Sequence, residues 1–357
     1  MNTNQDLGKF ILTFDPEQPQ LHFSEMELSE FGITAESLLP TAIPWPSGKV
    51  PAAAPLKAIP DPGQDLSKFK NYDAVIVTWT AAEAATLARL FTPGYPVSAW
   101  YKYQHGVDTY IPKVTGLKAP FNDPSLDSYY HTLALYFPCT IGSKKILLIK
   151  SGLHLDYDGP DTPVKTLMTE IAQTVNPDRF ITTGSGGAIG TDVLLGDVII
   201  STEVRFDCVS QFKDKPWKSN AYKTSPFPSK ALSAITDDLV KVNAARIPTG
   251  RTIPKMWVDV NSIIVTTDFF AYDDSTNHYH LQGLGKVCDM GDAMVAAALQ
   301  DFAHINFFAI RNASDPQIPN PDGNMREAGI QSGKIYAKYG ALTTAASVIA
   351  TWAVITN

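Results

Sequence analysis

The sequence predicts an α/β protein whose central sheet is covered on both faces. Three observations carry that expectation. From residue 73 onward, short apolar runs rich in β-branched residues alternate with stretches of helical periodicity. Those runs are continuously apolar rather than alternating, the pattern of strands buried on both faces. The chain has 357 residues, 44% hydrophobic and 18% charged, enough to build a sizeable core and too apolar for wholesale disorder.

The first segment, residues 1–71, reads differently. Pro40, Pro44, Pro46, Pro51, Pro55, Pro60 and Pro62 interrupt any regular element. Phe10, Phe14, Leu21, Phe23 and Trp45 supply apolar anchors, so this Pro-rich N-terminal extension is expected to wrap the domain or to contact a partner subunit. Residues 72–357 form the domain proper. Strands are expected at 74–78, 145–150, 179–183, 197–204, 262–269 and 307–311, and helices at 81–90, 164–175, 293–303 and 327–352. The stretch 93–140 is long for a connection. It is rich in aromatics (Trp100, Tyr101, Tyr103, Tyr110, Phe121, Tyr129, Tyr130), which suits an inserted lid or an interface. The apolar stretch 341–355 is interrupted by Thr343, Thr344, Ser347 and Thr351 and is shorter than a bilayer span; a helix packed on the domain is expected.

A net charge of -7 without a basic block provides no electrostatic footprint for nucleic acid or an anionic membrane. Cys139, Cys208 and Cys288 are far apart, odd in number and outside any CxxC spacing. That argues against a disulfide framework or zinc site and for a reducing, cytoplasmic location. The first ten residues lack a basic region followed by an apolar run, so no secretory leader is expected.

In sheets of this kind ligands sit beyond the carboxyl ends of strands, so the residues that follow each run are the ones to read for chemistry. Four constellations stand there. Thr182-Thr183-Gly184-Ser185-Gly186-Gly187 is a glycine-rich turn whose backbone N–H groups and Ser185 hydroxyl can face a phosphate, a sugar or a water. No Gly-Lys-Ser/Thr follows it, so it is not a Walker loop. Arg311-Asn312-Ala313-Ser314-Asp315-Pro316 ends an apolar run, and an Asp there can donate a proton once burial raises its pKa; the plainer alternative is a turn residue before proline. Cys288-Asp289-Met290-Gly291-Asp292 opens a helix, where acidic residues are ordinary caps. Thr80-Ala81-Ala82-Glu83 places an acid in the first turn of another helix, again commonplace.

The order of these elements is more informative than any one of them. Gly-Ser-Gly-Gly, then Leu195-Gly196-Asp197-Val198, then Asp289-Met290, then Arg311-x-x-Ser314-Asp315 resembles the nucleoside phosphorylase and nucleosidase superfamily, from about Tyr72 to the C-terminus. The resemblance implies a three-layer α/β/α sandwich with a central mixed, partly barrel-like sheet. It implies Asp315 as the general acid that protonates the leaving purine, with Ser314 supporting it. Phe270 would stack on the base, Phe269 being the alternative by one residue, and Met290 would lie against the sugar. Ser185, Gly186, Gly187 and Gly152 would line the substrate site. The sugar would pass through an oxocarbenium-like transition state. No cofactor or metal is implied; the partner is a small nucleoside and the assembly a homo-oligomer.

Phosphorylases of this group commonly hold their phosphate with an Arg two residues before the glycine turn. Here that position is Thr182. Without the guanidinium a dianion loses its charge-assisted bonds. Glu83 matches a carboxylate that polarises the attacking water in the hydrolytic members, so cleavage by water is the expectation and phosphorolysis the alternative, with Lys150, Arg205 or a neighbouring subunit as substitute cations. The third motif departs from the family pattern: Gly291 stands where a Glu usually accepts hydrogen bonds from the sugar hydroxyls. Asp292 or Asp289 replaces it, or the sugar differs, or the protein binds a nucleoside without turnover. His278 and His280 lack a third metal ligand, whereas His154 follows a strand end near the expected nucleophile.

Overall fold

A computed structural model describes residues 4–24, 34–114, 131–155, 162–248 and 251–357. Thirteen strands form one mixed sheet: β1 (Pro51–Ala53), β2 (Ala74–Thr78), β3 (Tyr101–Tyr103), β4 (Ala134–Ile141), β5 (Lys144–Ser151), β6 (Arg179–Ala188), β7 (Val198–Ile200), β8 (Glu203–Asp207), β9 (Ala221–Lys223), β10 (Met256–Trp257), β11 (Ile263–Thr267), β12 (Val287–Asp289) and β13 (Asn306–Asp315). The main path runs β1-β4-β5-β2-β6-β12-β11-β8-β9, while β13 pairs with both β6 and β7, and β10 pairs with β7. The parallel centre, β5-β2-β6-β13, is almost wholly buried because it is covered on both faces, with apolar residues such as those of Ala74–Val77 filling it away from the carboxyl ends. The path branches at β6 and its ends, β1 and β9, do not pair, so the sheet is open rather than closed into a barrel.

Six helices matter for the site: α1 (Asn4–Thr13), α2 (Ala81–Phe91), α3 (Pro163–Val175), α4 (Asp237–Ala244), α5 (Asp292–Ala298) and α6 (Met325–Thr356). They form two groups. α6 packs on β6 and β13 together with α1, α2 and α4, while α3 and α5 pack on each other, α5 also covering β8 and β11. Helices therefore cover the sheet from two sides, as the sequence led us to expect. By length and composition α6 could cross a membrane, but 89% of its most apolar window is buried inside the protein, where it forms the core helix against β13.

Several elements differ from the expectations. The strand expected at 179–183 continues through the glycines to Ala188, so the glycine-rich segment is strand and not turn. The physical reason is pairing: β13 runs beside β6 from Arg179 to Gly187, with one register shift between Ala313 and Asp315, and the absence of side chains at the glycines admits close neighbours. The strand expected at 197–204 is two short ones, β7 and β8. The stretch 93–140 is not wholly an insertion, since β4 hydrogen-bonds to β5 along its length and β3 pairs with β4. Phe121, Tyr129 and Tyr130 lie outside the described residues.

The N-terminal segment lies against its own domain. β1 adds a strand at the sheet edge. α1 buries Leu7 and Ile11, followed by Phe14, in a cluster with Tyr272, Ile318, Tyr336 and Ala341. Burying three large apolar side chains contributes roughly 5–8 kcal/mol before entropy is counted, enough to hold a ten-residue helix that is marginal alone.

Candidate active site

The carboxyl ends of β2, β6 and β13, with the segments after β11 and β12, converge on one partly open cavity. It has two chemically different ends. β13 connects them, because Arg311 and Asp315 lie four residues apart on one strand, roughly 13 Å at 3.3 Å per residue.

At one end stands Asp315, 4% exposed. Its Oδ1 accepts from the Ser314 hydroxyl at 3.0 Å and its Oδ2 from the Ser332 hydroxyl at 3.1 Å. Ser332 belongs to α6, so the core helix reaches the site. Burial pushes the Asp315 pKa up to about 6, the two hydroxyls only partly offsetting it. Gly187 lies beneath: a Cβ there would sit 3.6 Å from Asp315 Oδ2 and 3.1 Å from the Cys288 sulfur. Phe270 and Ala271 complete this end, Tyr336 donates its hydroxyl to Thr80 Oγ1 at 2.8 Å toward the Glu83 end, and Phe269 packs on Tyr279 away from the cavity.

At the other end Glu83 is held by five donors. Its Oε2 accepts from the Thr78 hydroxyl at 2.5 Å and the backbone N–H groups of Trp79 and Thr80 at 2.9 Å each. Its Oε1 accepts from the backbone N–H and hydroxyl of Ser185 at 2.6 and 2.7 Å. The local sequence explains the placement. Thr80 caps α2 by accepting from the Glu83 N–H, and Glu83 answers by accepting from the Thr80 N–H, a capping box. The carboxylate is thus a helix cap and a site residue at once. It then fills the space beside Gly184, where a Cβ would lie 2.3 Å from Glu83 Cδ at φ +149°. Burial opposes its charge, but the Arg311 guanidinium at 3.5 Å and the donated hydrogen bonds hold its pKa below the ordinary carboxylate range.

Arg311 organises this end and was quoted within a motif but given no role from sequence. Its Nε and Nη2 donate to the two oxygens of Asp292 at 2.9 and 2.5 Å, and its Nη2 lies 3.4 Å from Asp289. It also donates to the Ser185 carbonyl at 3.3 Å and stacks on the Trp79 ring at 4.7 Å. Burial opposes its charge, and the three carboxylates reverse that and raise its pKa further. Asp289 accepts from the Thr266 hydroxyl at 2.6 Å and from the N–H groups of Gly291 and Asp292. Burial and the adjacent Asp292 charge push its pKa up.

Of the residues singled out from sequence, Asp315, Glu83, Ser185, Gly186, Gly187, Phe270, Met290 and Ser314 line this one cavity. Two do not. Asp292 turns into the interior, fully committed to Arg311, and is not on the wall. Gly152 packs on the backbone just before β4, its missing Cβ lying 2.0 Å from the Thr132 carbonyl oxygen, which makes it a close-approach glycine. Thr182 is buried off the wall with its hydroxyl unpartnered, and neither Lys150 nor Arg205 lines the cavity. His154 does. Sequence reasoning missed Trp79, Tyr336 and, from α1, Ile11 and Leu12, all on the wall. Asp197 of the Leu-Gly-Asp-Val motif is structural: it holds Arg251, the Lys255 N–H and the Trp257 indole.

The chain matches the model of a family described as the phosphorylase superfamily over residues 74–339. A 5'-methylthioadenosine/S-adenosylhomocysteine nucleosidase of Psychromonas ingrahamii is 26% identical over 182 residues, 50% of this chain and 72% of that protein. The corresponding nucleosidase of Shewanella piezotolerans is 26% identical over 46% of this chain and 70% of its own length. Among solved structures, a nucleosidase of the same description from Colwellia psychrerythraea, in complex with adenine, superposes with a TM-score of 0.50 at 15% identity, covering 80% of this chain and 97% of that one.

Proposed function

Because the chain belongs to the phosphorylase superfamily, we propose that it cleaves the N-glycosidic bond of a purine-type nucleoside with water as the nucleophile. The observation that carries this reading is the charge arrangement of the cavity. Asp315 is a buried carboxyl with a pKa near 6 and only one hydrogen bond on each oxygen, so it keeps a proton to give. Donated to the departing base, that proton lets the base leave neutral. The aromatic ring of Phe270 stands at the same end to receive the base.

The opposite end suits a water and an electron-poor sugar, not a phosphate. The one guanidinium that the described residues place on the wall, Arg311, is already shared among Asp292, Asp289 and Glu83. A dianion there would meet more negative than positive charge in a low-dielectric site. Glu83, with its depressed pKa, acts as a fixed anion that stabilises a developing oxocarbenium ion and orients water; such a cation needs little base strength in its nucleophile. Its oxygens already accept five bonds, about one more than a carboxylate's conventional lone-pair sites. A water therefore joins in exchange for a hydroxyl, and Ser185, on the cavity wall, is the one that can yield. The names of the similar proteins, which are nucleosidases, point the same way.

The test is release of free base from adenosine, inosine, guanosine and methylthioadenosine, each with and without phosphate. Equal rates in both conditions and a free sugar product are expected. Release that requires phosphate refutes the hydrolytic reading. A homo-oligomer and a cytoplasmic location go with this proposal; a single peak of multiple subunit mass in sedimentation, and recovery in the soluble cell fraction, would check them.

A further inference from the structure

A water joins Glu83 in exchange for the Ser185 hydroxyl, and that exchange displaces a hydrogen that needs another acceptor. Ser185 is 8% exposed, and its main chain is pinned from both sides. Its N–H donates to Glu83 Oε1 at 2.6 Å, and its carbonyl accepts from Arg311 at 3.3 Å. The hydroxyl donates to the same Glu83 oxygen at 2.7 Å, and a serine side chain turns between staggered positions about a single bond. The side chain can therefore move while the main chain stays. Left unpaired in a buried site, the hydroxyl would lose roughly tenfold to hundredfold in the exchange equilibrium.

Tyr336 stands where that acceptor is needed. It lies on the cavity wall with Thr80, Glu83 and Ser185. Its hydroxyl donates to Thr80 Oγ1 at 2.8 Å, and the Ser185 hydroxyl lies within hydrogen-bonding reach of the same phenolic oxygen. Having given its own hydrogen to Thr80, that oxygen keeps its lone pairs to accept with. Burial and the Glu83 and Asp315 charges push its pKa up, so it stays a neutral hydroxyl. The ring is held in place: it is 1% exposed, in one apolar cluster with Leu7, Ile11 and Phe14 of the N-terminal segment. One turn further along α6, Gly340 lets the ring lie against the helix, since a Cβ there would sit 3.0 Å from Cε2 and 3.1 Å from Cδ2. One turn earlier, on the same face, Ser332 holds Asp315. A single face of α6 thus reaches the acid with Ser332 and the Glu83 end with Tyr336.

Resting on the hydrolytic reading, we propose that Tyr336 is a positioning residue: its hydroxyl oxygen accepts the Ser185 hydroxyl when a water takes that hydroxyl's place on Glu83. The Ser185 side chain turns from one acceptor to the other, its main-chain bonds stay made, and no buried hydrogen is left unpaired. Glu83 keeps five donors before and after, one of them now the nucleophile.

Tyr336→Phe removes the oxygen and keeps the ring. The substrate is whichever of adenosine, inosine, guanosine and methylthioadenosine the wild-type chain cleaves fastest. The variant's kcat should fall roughly tenfold to hundredfold, with KM within about twofold of wild type. Phenylalanine also deprives Thr80 of a donor, so an effect through Thr80 has to be told apart. In a Ser185→Ala background there is no hydroxyl to relocate, and adding Tyr336→Phe should lower kcat by less than about twofold. In a Thr80→Val background, which decides the matter if Ser185→Ala does not fold, Tyr336→Phe should keep its full effect. Four results would each overturn the proposal and leave the hydrolytic reading standing. They are a kcat loss under about threefold in the wild-type background, a loss carried by KM, equal losses with and without the Ser185 hydroxyl, and a loss that vanishes with the Thr80 hydroxyl. Base release that requires phosphate, or no release at all, overturns both, because Glu83 then has no water to receive.

Discussion

Replacing Asp315 by Asn separates the chemical role of this group from its structural cost. In the folded chain its pKa stands at about 6 against an ordinary value of 3.8, a difference of about two units. At about 1.4 kcal/mol per unit, a fully ionised Asp315 destabilises the fold by about 3 kcal/mol relative to its neutral form. The sign follows from the proton count. A group whose folded pKa is raised binds its proton more tightly when folded, so its contribution is complete below about 4 and is lost as pH rises through about 6. Asn has no ionisation and keeps a carbonyl for one of the two serine hydroxyls. The stability difference, variant minus wild type, should therefore rise by about 3 kcal/mol between pH 4 and pH 7, read from urea melts across that range. Over the same interval the variant should lose about a hundredfold to ten-thousandfold in kcat, the usual worth of a positioned acid. Wild-type activity should fall as pH rises above about 6, where Asp315 deprotonates. Its acid limb should lie below the ordinary carboxylate range, where Glu83 takes up a proton. Parallel stability–pH profiles for the two proteins, together with a kcat loss under tenfold, would refute both the buried-acid assignment and the mechanism built on it.

Two other perturbations probe the frame around that acid. Gly184→Ala would drive a methyl group to 2.3 Å from the Glu83 carboxyl, which five hydrogen bonds hold in place; a loss of about 3 kcal/mol in denaturant melts is expected, and a change under 0.5 kcal/mol would refute the close-approach argument. Leu12→Ala should remove about 1–2 kcal/mol of contact from the cavity wall that α1 supplies, seen as a roughly five- to thirtyfold loss in kcat/KM carried by KM, whereas an unchanged KM would show that α1 does not meet the ligand.

Most of the fold was legible because it rests on local signals. Continuous apolar runs such as Ala74–Thr78 mark strands buried on both faces, and Thr80 with Glu83 three residues later marks the start of α2. The glycine run was misread as a turn because glycine signals only freedom from a side chain. Whether that freedom serves a bend or a close approach depends on what packs beside it, here β13 and the Glu83 carboxyl. The residues on the cavity wall were legible where they lie at or beyond the carboxyl ends of apolar runs, as with Asp315, Ser185 and Phe270. Arg311 carried a signal that went unused: a charged side chain inside an otherwise apolar strand, on the same strand as Asp315, needs buried partners. Asp292 misled for the complementary reason, since an acid at a helix start gives no hint that a distant guanidinium has claimed both its oxygens.

By itself, then, the sequence determined the covered sheet and the places of most of its strands and helices, because these follow from periodicity. Only the tertiary structure decided which charges remain free and which spaces remain empty. Burial between β13 and α6 pushes the Asp315 pKa up to about 6, the Ser314 and Ser332 hydroxyls only partly offsetting it. The space over Gly291 is filled by Trp79 because β2 and β12 flank β6 and the segments after them meet on the cavity wall. Proximity between residues two hundred positions apart leaves no periodic mark in the chain, and it is proximity that sets pKa, hydrogen-bond saturation and the shape left for a ligand.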